Sequence, residues 1–118
     1  MMDAKSLLDI FADKEVHQRE FAVIAFERHS GSRAGGKGYP SRAIRTKDFL
    51  HIYNFEPDRL PQGSPNPKDS NRGIPFSEID SSPTKSLMME VYKKNPQDPI
   101  MMATFAKNPS MELYDMSK

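Results

Sequence analysis

The sequence predicts an α+β fold, a small antiparallel sheet of about four strands packed against two or three helices. Three observations predict it. The run Gly38–Phe55 is the densest stretch of β-branched and aromatic residues, and its halves Tyr39–Thr46 and Phe49–Phe55 read as strands. Phe21–Phe26 is apolar at every position, which suits a short buried strand. Ser82-Pro83 and Asp98-Pro99 are helix starts, each followed by apolar residues at helical spacing.

In chain order, Ala4–Ala12 is expected to be a short helix, with Leu7, Leu8 and Phe11 on one stripe and Asp3 as N-cap. Residues 13–19 are polar and read as a loop. Phe21–Phe26 follows, and its continuous apolarity predicts cover on both faces. The chain then runs through Glu27-Arg28-His29 into Ser30–Gly38, whose glycines at 31, 35, 36 and 38 predict a flexible loop. Its spacing fits no phosphate-cradling template.

Lys47-Asp48 joins the two strands of the hairpin. A two-residue loop puts Ile44, Phe49, His51 and Tyr53 on one face and Ala43, Leu50 and Ile52 on the other. His51, inside a strand, is expected to be a packed ring. From Pro57 to Pro83 six prolines punctuate a stretch poor in apolar residues. This 57–83 segment is expected to be a loop without regular structure, lying on a neighbouring surface. The helix from Pro83 to Lys94 should lay Leu87, Met88, Val91 and Tyr92 on the sheet and stop at Asn95-Pro96. Met101, Met102 and Phe105 form a second stripe, ended by Asn108-Pro109, and Met111–Met116 reads as an outer strand.

The chain has 118 residues, enough for a single domain spanning 1–118, and a net charge of +1. That charge gives no global attraction to nucleic acid or to an anionic membrane, so neither is expected as a partner. Ten prolines and a modest apolar share suggest that part of the chain stays outside the core. The absence of cysteine excludes disulfides, thiolate metal sites and a cysteine nucleophile. No apolar run reaches transmembrane length, and Met1–Ala4 does not read as a signal peptide. His17, His29 and His51 are far apart, without metal-ligand spacing, so no metal is expected in this chain. The eight methionines suit adaptable core packing.

Charge is uneven along the chain. Glu27–Lys47 holds Arg28, Arg33, Lys37, Arg42, Arg45 and Lys47 against one acid. Guanidinium groups pair well with sulfate or carboxylate oxygens, so an anion-binding module is one reading of this stretch. Strand alternation sends Arg42 and Arg45 to opposite faces, which divides the patch. A structural or interaction domain without a small ligand is a further reading.

The run Tyr39–Arg59 (Tyr-Pro-Ser-Arg-Ala-Ile-Arg-Thr-Lys-Asp-Phe-Leu-His-Ile-Tyr-Asn-Phe-Glu-Pro-Asp-Arg) resembles the C-terminal region of sulfatases, the heparan N-sulfatase (N-sulfoglucosamine sulfohydrolase) type above all. The likeness extends to Lys5–Leu8, Glu27–His29 and Glu112–Met116, and is poorest over Pro61–Pro83. Leu60 stands where many sulfatases carry an aromatic, and Tyr53 where many carry a cation. The resemblance implies a C-terminal, non-catalytic subdomain that completes the fold and the substrate-pocket rim of a hydrolase of sulfate esters or sulfamates on sugars. Its partners would be the catalytic domain of the same parent and a sulfated saccharide. The parent would be periplasmic, secreted or lysosomal, and would carry Ca²⁺ and formylglycine. Those groups are not expected here. The sulfatase nucleophile motif is Cys (or Ser)-x-Pro-Ser-Arg, and Gly38 stands in the nucleophile position before Pro40-Ser41-Arg42. The chain alone is therefore expected to be inactive. Glu27, Arg28, His29 and Arg42 are the candidate substrate-binding residues, at the end of a strand and the start of a glycine-rich loop.

Overall fold

A computed structural model describes residues 8–12, 20–27 and 31–117. Its order is α1 (Leu8–Phe11), β1 (Phe21–Phe26), β2 (Ser41–Thr46), β3 (Phe49–Asn54), α2 (Pro83–Lys94), α3 (Pro99–Phe105) and β4 (Met111–Asp115), with 3₁₀ turns at Ala34–Gly36 and Pro67–Asp69. The four strands form one antiparallel sheet in the order β1-β2-β3-β4. The small α+β fold follows as expected. Most of the expected α1, from Ala4 to Leu7 with its Asp3 cap, lies outside the described residues, as does the loop 13–19.

The hairpin turns at Lys47-Asp48, and Ile44 pairs with His51 while Ala43 pairs with Ile52. Lys-Asp is a poor two-residue turn pair, and Thr46 supplies what the pair lacks. Its Oγ1 accepts from the Phe49 amide at 3.0 Å. β4 then returns to β3, with His51 opposite Leu113.

The helix boundaries follow their caps. Ser82 Oγ accepts from the Lys85 amide at 3.1 Å, and Pro83 occupies the first turn, where its missing N–H costs nothing. Asp98 Oδ1 accepts from the amides of Ile100 and Met101 at 3.0 and 3.1 Å. Asn95 ends α2, as read from the sequence.

What α2 packs on differs from expectation. Met88, Val91 and Tyr92 pack with Met89, Leu60 and Ile79 around Phe76, Met101 and Phe105, while Leu87 is exposed. Among the described residues, no strand residue belongs to this cluster. Its aromatic centre is tight: Phe76 and Phe105 have centroids 4.7 Å apart, and Tyr92 and Phe105 5.1 Å. One of its partners, the proline-rich segment, comes from a part of the chain with few apolar residues. A sheet face was the more obvious platform from the sequence.

The proline-rich segment has no regular element before α2 beyond the 3₁₀ turn at Pro67–Asp69, as expected of a loop. The surface it lies on is that of the helices of the same chain, and it contributes Phe76, Ile79 and Leu60 to the core. Backbone bonds stitch it down: Ser64 N to Ser32 O at 2.9 Å, Asn71 N to Gly31 O at 2.8 Å, and Phe76 N to Ser64 O at 2.8 Å. The buried Lys85 ammonium donates to the carbonyls of Phe76 and Ile79 at 2.9 and 2.8 Å. Burial lowers the pKa of that lysine, with Arg72 adding repulsion.

Gly63 sits where this segment crosses the loop after β1. Its φ is +94°, and a Cβ there would lie 2.8 Å from Ser32 Cβ and 2.9 Å from Ser32 O. Gly35 also has positive φ, +69°, but faces open space. Gly63→Ala should therefore cost more than Gly35→Ala. About 1–3 kcal/mol is expected for backbone strain alone at either site, and the clash adds to it only at 63. Urea denaturation of both variants checks the difference; equal losses would mean that the crossing yields.

Candidate functional site

Strand alternation gives the sheet two faces. One carries Phe21 and Val23 of β1, Ile44 and Arg42 of β2, Phe49, His51 and Tyr53 of β3, and Met111 and Leu113 of β4. All are exposed, Val23 and Leu113 to 66% and 67%. The expectation that β1 is covered on both faces is thus corrected: all six of its residues are exposed, on an edge strand with little packed against either side. His51 is likewise an exposed ring rather than a packed one. Contiguous apolar area of this kind marks an interaction surface in a soluble protein.

Arg42 and Glu27 stand at one end of this face. Their side chains form an exposed ion pair, and the Arg42 guanidinium also lies 5.7 Å from the centre of the Phe55 ring, which meets Tyr53 edge-on at 4.8 Å. The other two candidate site residues, Arg28 and His29, lie outside the described residues, as does His17. The structure therefore brings Glu27 and Arg42 together and places them beside the apolar face.

The basic stretch does not form one patch. Arg33 is buried, and its Nη1 contacts Glu78 Oε1 at 2.9 Å with both side chains less than a tenth exposed. Its Nε and Nη2 donate to Leu60 O, and Nη2 donates to Pro61 O at 2.6 Å. Ser32 Oγ donates to the same glutamate at 2.6 Å. The glycine-rich loop was expected to be flexible; at Ser32 and Arg33 it is buried and anchored instead. A charge inside a Gly/Ser-rich run reads as solvated, and nothing local in the sequence pairs Arg33 with a residue 45 positions away.

The opposite face holds a cleft of about 390 Å³. Phe26, Ser41, Ile52, Asn54 and Glu112 form its sheet wall, and Tyr39, Pro61, Gln62, Glu78 and Asn108 the rest. Sequence reading missed this site, because six separate stretches of the chain build it. Asn54 Nδ2 donates to Pro109 O at 2.8 Å and to Glu112 Oε1 at 2.6 Å, and the Tyr114 hydroxyl donates to Glu112 Oε2. That last bond raises the Tyr114 pKa, since ionising the phenol would lose it.

The chemistry of a sulfatase centre does not fit these residues. Gly38 has no side chain to oxidise, its carbonyl accepts from Arg59 Nη1, and Pro40-Ser41-Arg42 leads directly into β2. Among the described residues, no group of three His, Asp or Glu side chains is placed to hold a metal ion, and no helix is long and apolar enough to cross a membrane. No protein-family model, curated protein or solved structure matches the chain.

Two contrasts check this geometry. Glu78→Ala strands a buried guanidinium and should cost about 3–5 kcal/mol, whereas Glu27→Ala, at an exposed pair, should cost less than about 1 kcal/mol. On the uncovered face, Val23→Lys and Leu113→Lys should change stability by no more than about 0.5 kcal/mol and reduce self-association in sedimentation runs. A large loss of stability would mean that the face is covered in solution.

Proposed function

We propose that the chain is the C-terminal, non-catalytic subdomain of a sulfatase, a hydrolase of sulfate esters or sulfamates on sugars. The sequence block Tyr39–Arg59 carries the resemblance to that family. The observation that carries the subdomain reading is the uncovered apolar face of the sheet. A sheet that keeps Phe21, Val23, Ile44, Phe49 and Leu113 in water has a surface suited to a larger neighbour. In this reading the neighbour is the catalytic domain of the same parent, which brings the formylglycine and Ca²⁺. The parent works in the periplasm, a lysosome or outside the cell.

Within the parent, Arg28 and His29, with Glu27 and Arg42, would stand at the rim of the substrate pocket and contact the sulfated sugar rather than the sulfur chemistry. The stand-alone anion-binding reading is weaker. Arg33 is committed to Glu78 in the interior, so the basic stretch does not act as one patch.

The reading frame upstream of Met1 tests the proposal most directly. A Cys-x-Pro-Ser-Arg or Ser-x-Pro-Ser-Arg motif a few hundred codons earlier is expected, and an in-frame stop codon close upstream would overturn it. The isolated chain should not hydrolyse a chromogenic aryl sulfate or an N-sulfated glucosamine, with or without Ca²⁺; turnover that survives repurification would refute the non-catalytic role. In the parent, Arg28→Ala or His29→Ala should weaken binding of the sulfated sugar by about 1–3 kcal/mol and leave a minimal aryl sulfate nearly unaffected.

A further inference from the structure

The cleft beside Tyr39 has a chemistry of its own. Its charged groups are both carboxylates, Glu78 and Glu112, and the Arg33 partner of Glu78 does not line it. Three carboxamides (Asn54, Gln62 and Asn108) and the Phe26 ring complete the lining. Glu112 is held in place rather than mobile, because Asn54 and Tyr114 each take one of its oxygens. A carboxylate has about four lone-pair sites, so each oxygen retains room for a further donor.

Tyr39 supplies an independent observation. The residue is only 4% exposed, and its hydroxyl oxygen, with under 1 Å² accessible, has no hydrogen-bond partner among the described residues. A buried polar atom left unpaired costs about 1–3 kcal/mol, so the site is short of one partner. Burial raises the pKa of this phenol, and the Glu112 charge adds to the rise, while the Asn108 side chain, a polar neighbour outside hydrogen-bond geometry, and the Arg33 charge oppose it. Glu112 and Asn108, the groups the hydroxyl feels, both line the cleft. Asn108 is half-buried on the connection from α3 to β4, and a shift of its side chain would open the hydroxyl to a ligand.

We infer that this cleft binds a sugar ring carrying hydroxyls, or a free amine, and no anionic group. Ring hydroxyls donate to Glu112 and accept from the amides of Gln62 and Asn108, both Asn54 N–H groups being spent on Pro109 O and Glu112 Oε1; one hydroxyl completes Tyr39; the C–H face of the ring lies against Phe26. The Glu112 carboxylate repels sulfate, phosphate and uronate substituents, whereas the Glu78 charge is balanced by Arg33. The inference does not depend on the sulfatase reading. Within that reading the cleft would take an unsulfated ring of a longer glycan.

A second cleft, near Lys37, Arg59 and Lys107, has no comparable chemistry. Arg59 pairs with Glu56 at 2.9 Å and Lys107 with Asp58 at 3.7 Å, so its charges are largely balanced internally.

The experiment is a titration of the whole chain with glucose, glucosamine and glucose 6-sulfate, read from backbone amide shifts by NMR. Glucose and glucosamine should give saturable shifts at Tyr39, Asn54, Asn108 and Glu112, at roughly millimolar concentration for an open site with few contacts. Glucosamine should bind more tightly than glucose, and glucose 6-sulfate should not saturate at these amides. Tyr39→Phe removes an unpaired buried hydroxyl, so its melting temperature should be unchanged or higher, yet sugar affinity should fall about fivefold or more, the share of one hydrogen bond. Glu112→Gln should abolish the preference for glucosamine. Absence of saturable shifts with neutral sugars, tighter binding of the sulfated sugar, or unchanged affinity in Tyr39→Phe would each overturn the inference. None of these results bears on the upstream reading frame, so the two proposals fail separately.

Discussion

The buried pair Arg33–Glu78 is the constraint on which the rest of the arrangement depends. Taking two charges out of water costs several kcal/mol for each ion, and the cost is offset only when every donor finds an acceptor. Here Arg33 reaches Glu78, Ser32 Oγ, Leu60 O and Pro61 O, and its guanidinium lies 5.6 Å from the centre of the Tyr39 ring. These contacts clamp three segments, the loop after β1, residues 60–63, and residues 76–79. The clamp brings Gly63 against Ser32 and so fixes the bond from Ser64 to Ser32, and Phe76 N in turn bonds to Ser64 O. Phe76 enters the helical cluster from that anchored backbone, at a φ of +46° that a non-glycine residue rarely adopts. The apolar core is therefore positioned by a polar one.

Seven large apolar side chains on the outer sheet face leave much of their surface in water: Phe21, Val23, Ile44, Phe49, Tyr53, Met111 and Leu113. Full burial of one such side chain gains about 1.5–3 kcal/mol, so a partner covering several of them would recover much of the entropy lost on association. The inner face has the opposite character. Its lower end is lined by carboxylates, carboxamides and hydroxyls, and it stays open because the segment above it, 60–62, is held by Arg33 rather than by the strands. One face thus suits an apolar macromolecular surface and the other a small polar ligand.

Elements governed by local rules were legible in the sequence. The hairpin register follows from alternation and a two-residue loop; α2 and α3 begin at their Ser-Pro and Asp-Pro signals; β4 returns as the outer strand. What failed was long-range. The 57–83 segment has neither helical nor strand periodicity, and its order comes from Arg33, Lys85 and Ser32, polar residues that sequence reading assigns to solvent. Phe21–Phe26 is apolar throughout, but apolarity states a need for cover and not its source. Arg42 and Glu27, singled out through their place beside a strand end, pair with each other. The Tyr39–Glu112 cleft was not singled out, because its walls lie up to 86 positions apart in a chain whose alternation gives only the face.

The extent of exposed surface connects these points. Among the described residues only Tyr39, Phe76, Met101 and Phe105 are buried hydrophobics. The strands are held mainly to each other by main-chain pairing, and the helical cluster meets the proline-rich segment rather than the strands. Such a chain depends on directional polar contacts for its shape, since its few buried apolar groups would tolerate other packings. Covering the outer face would add the missing apolar contribution without altering any of those contacts. Specification and stabilisation are therefore separate here: buried polar pairing selects the fold, and the large apolar surface remains available to whatever docks on the sheet.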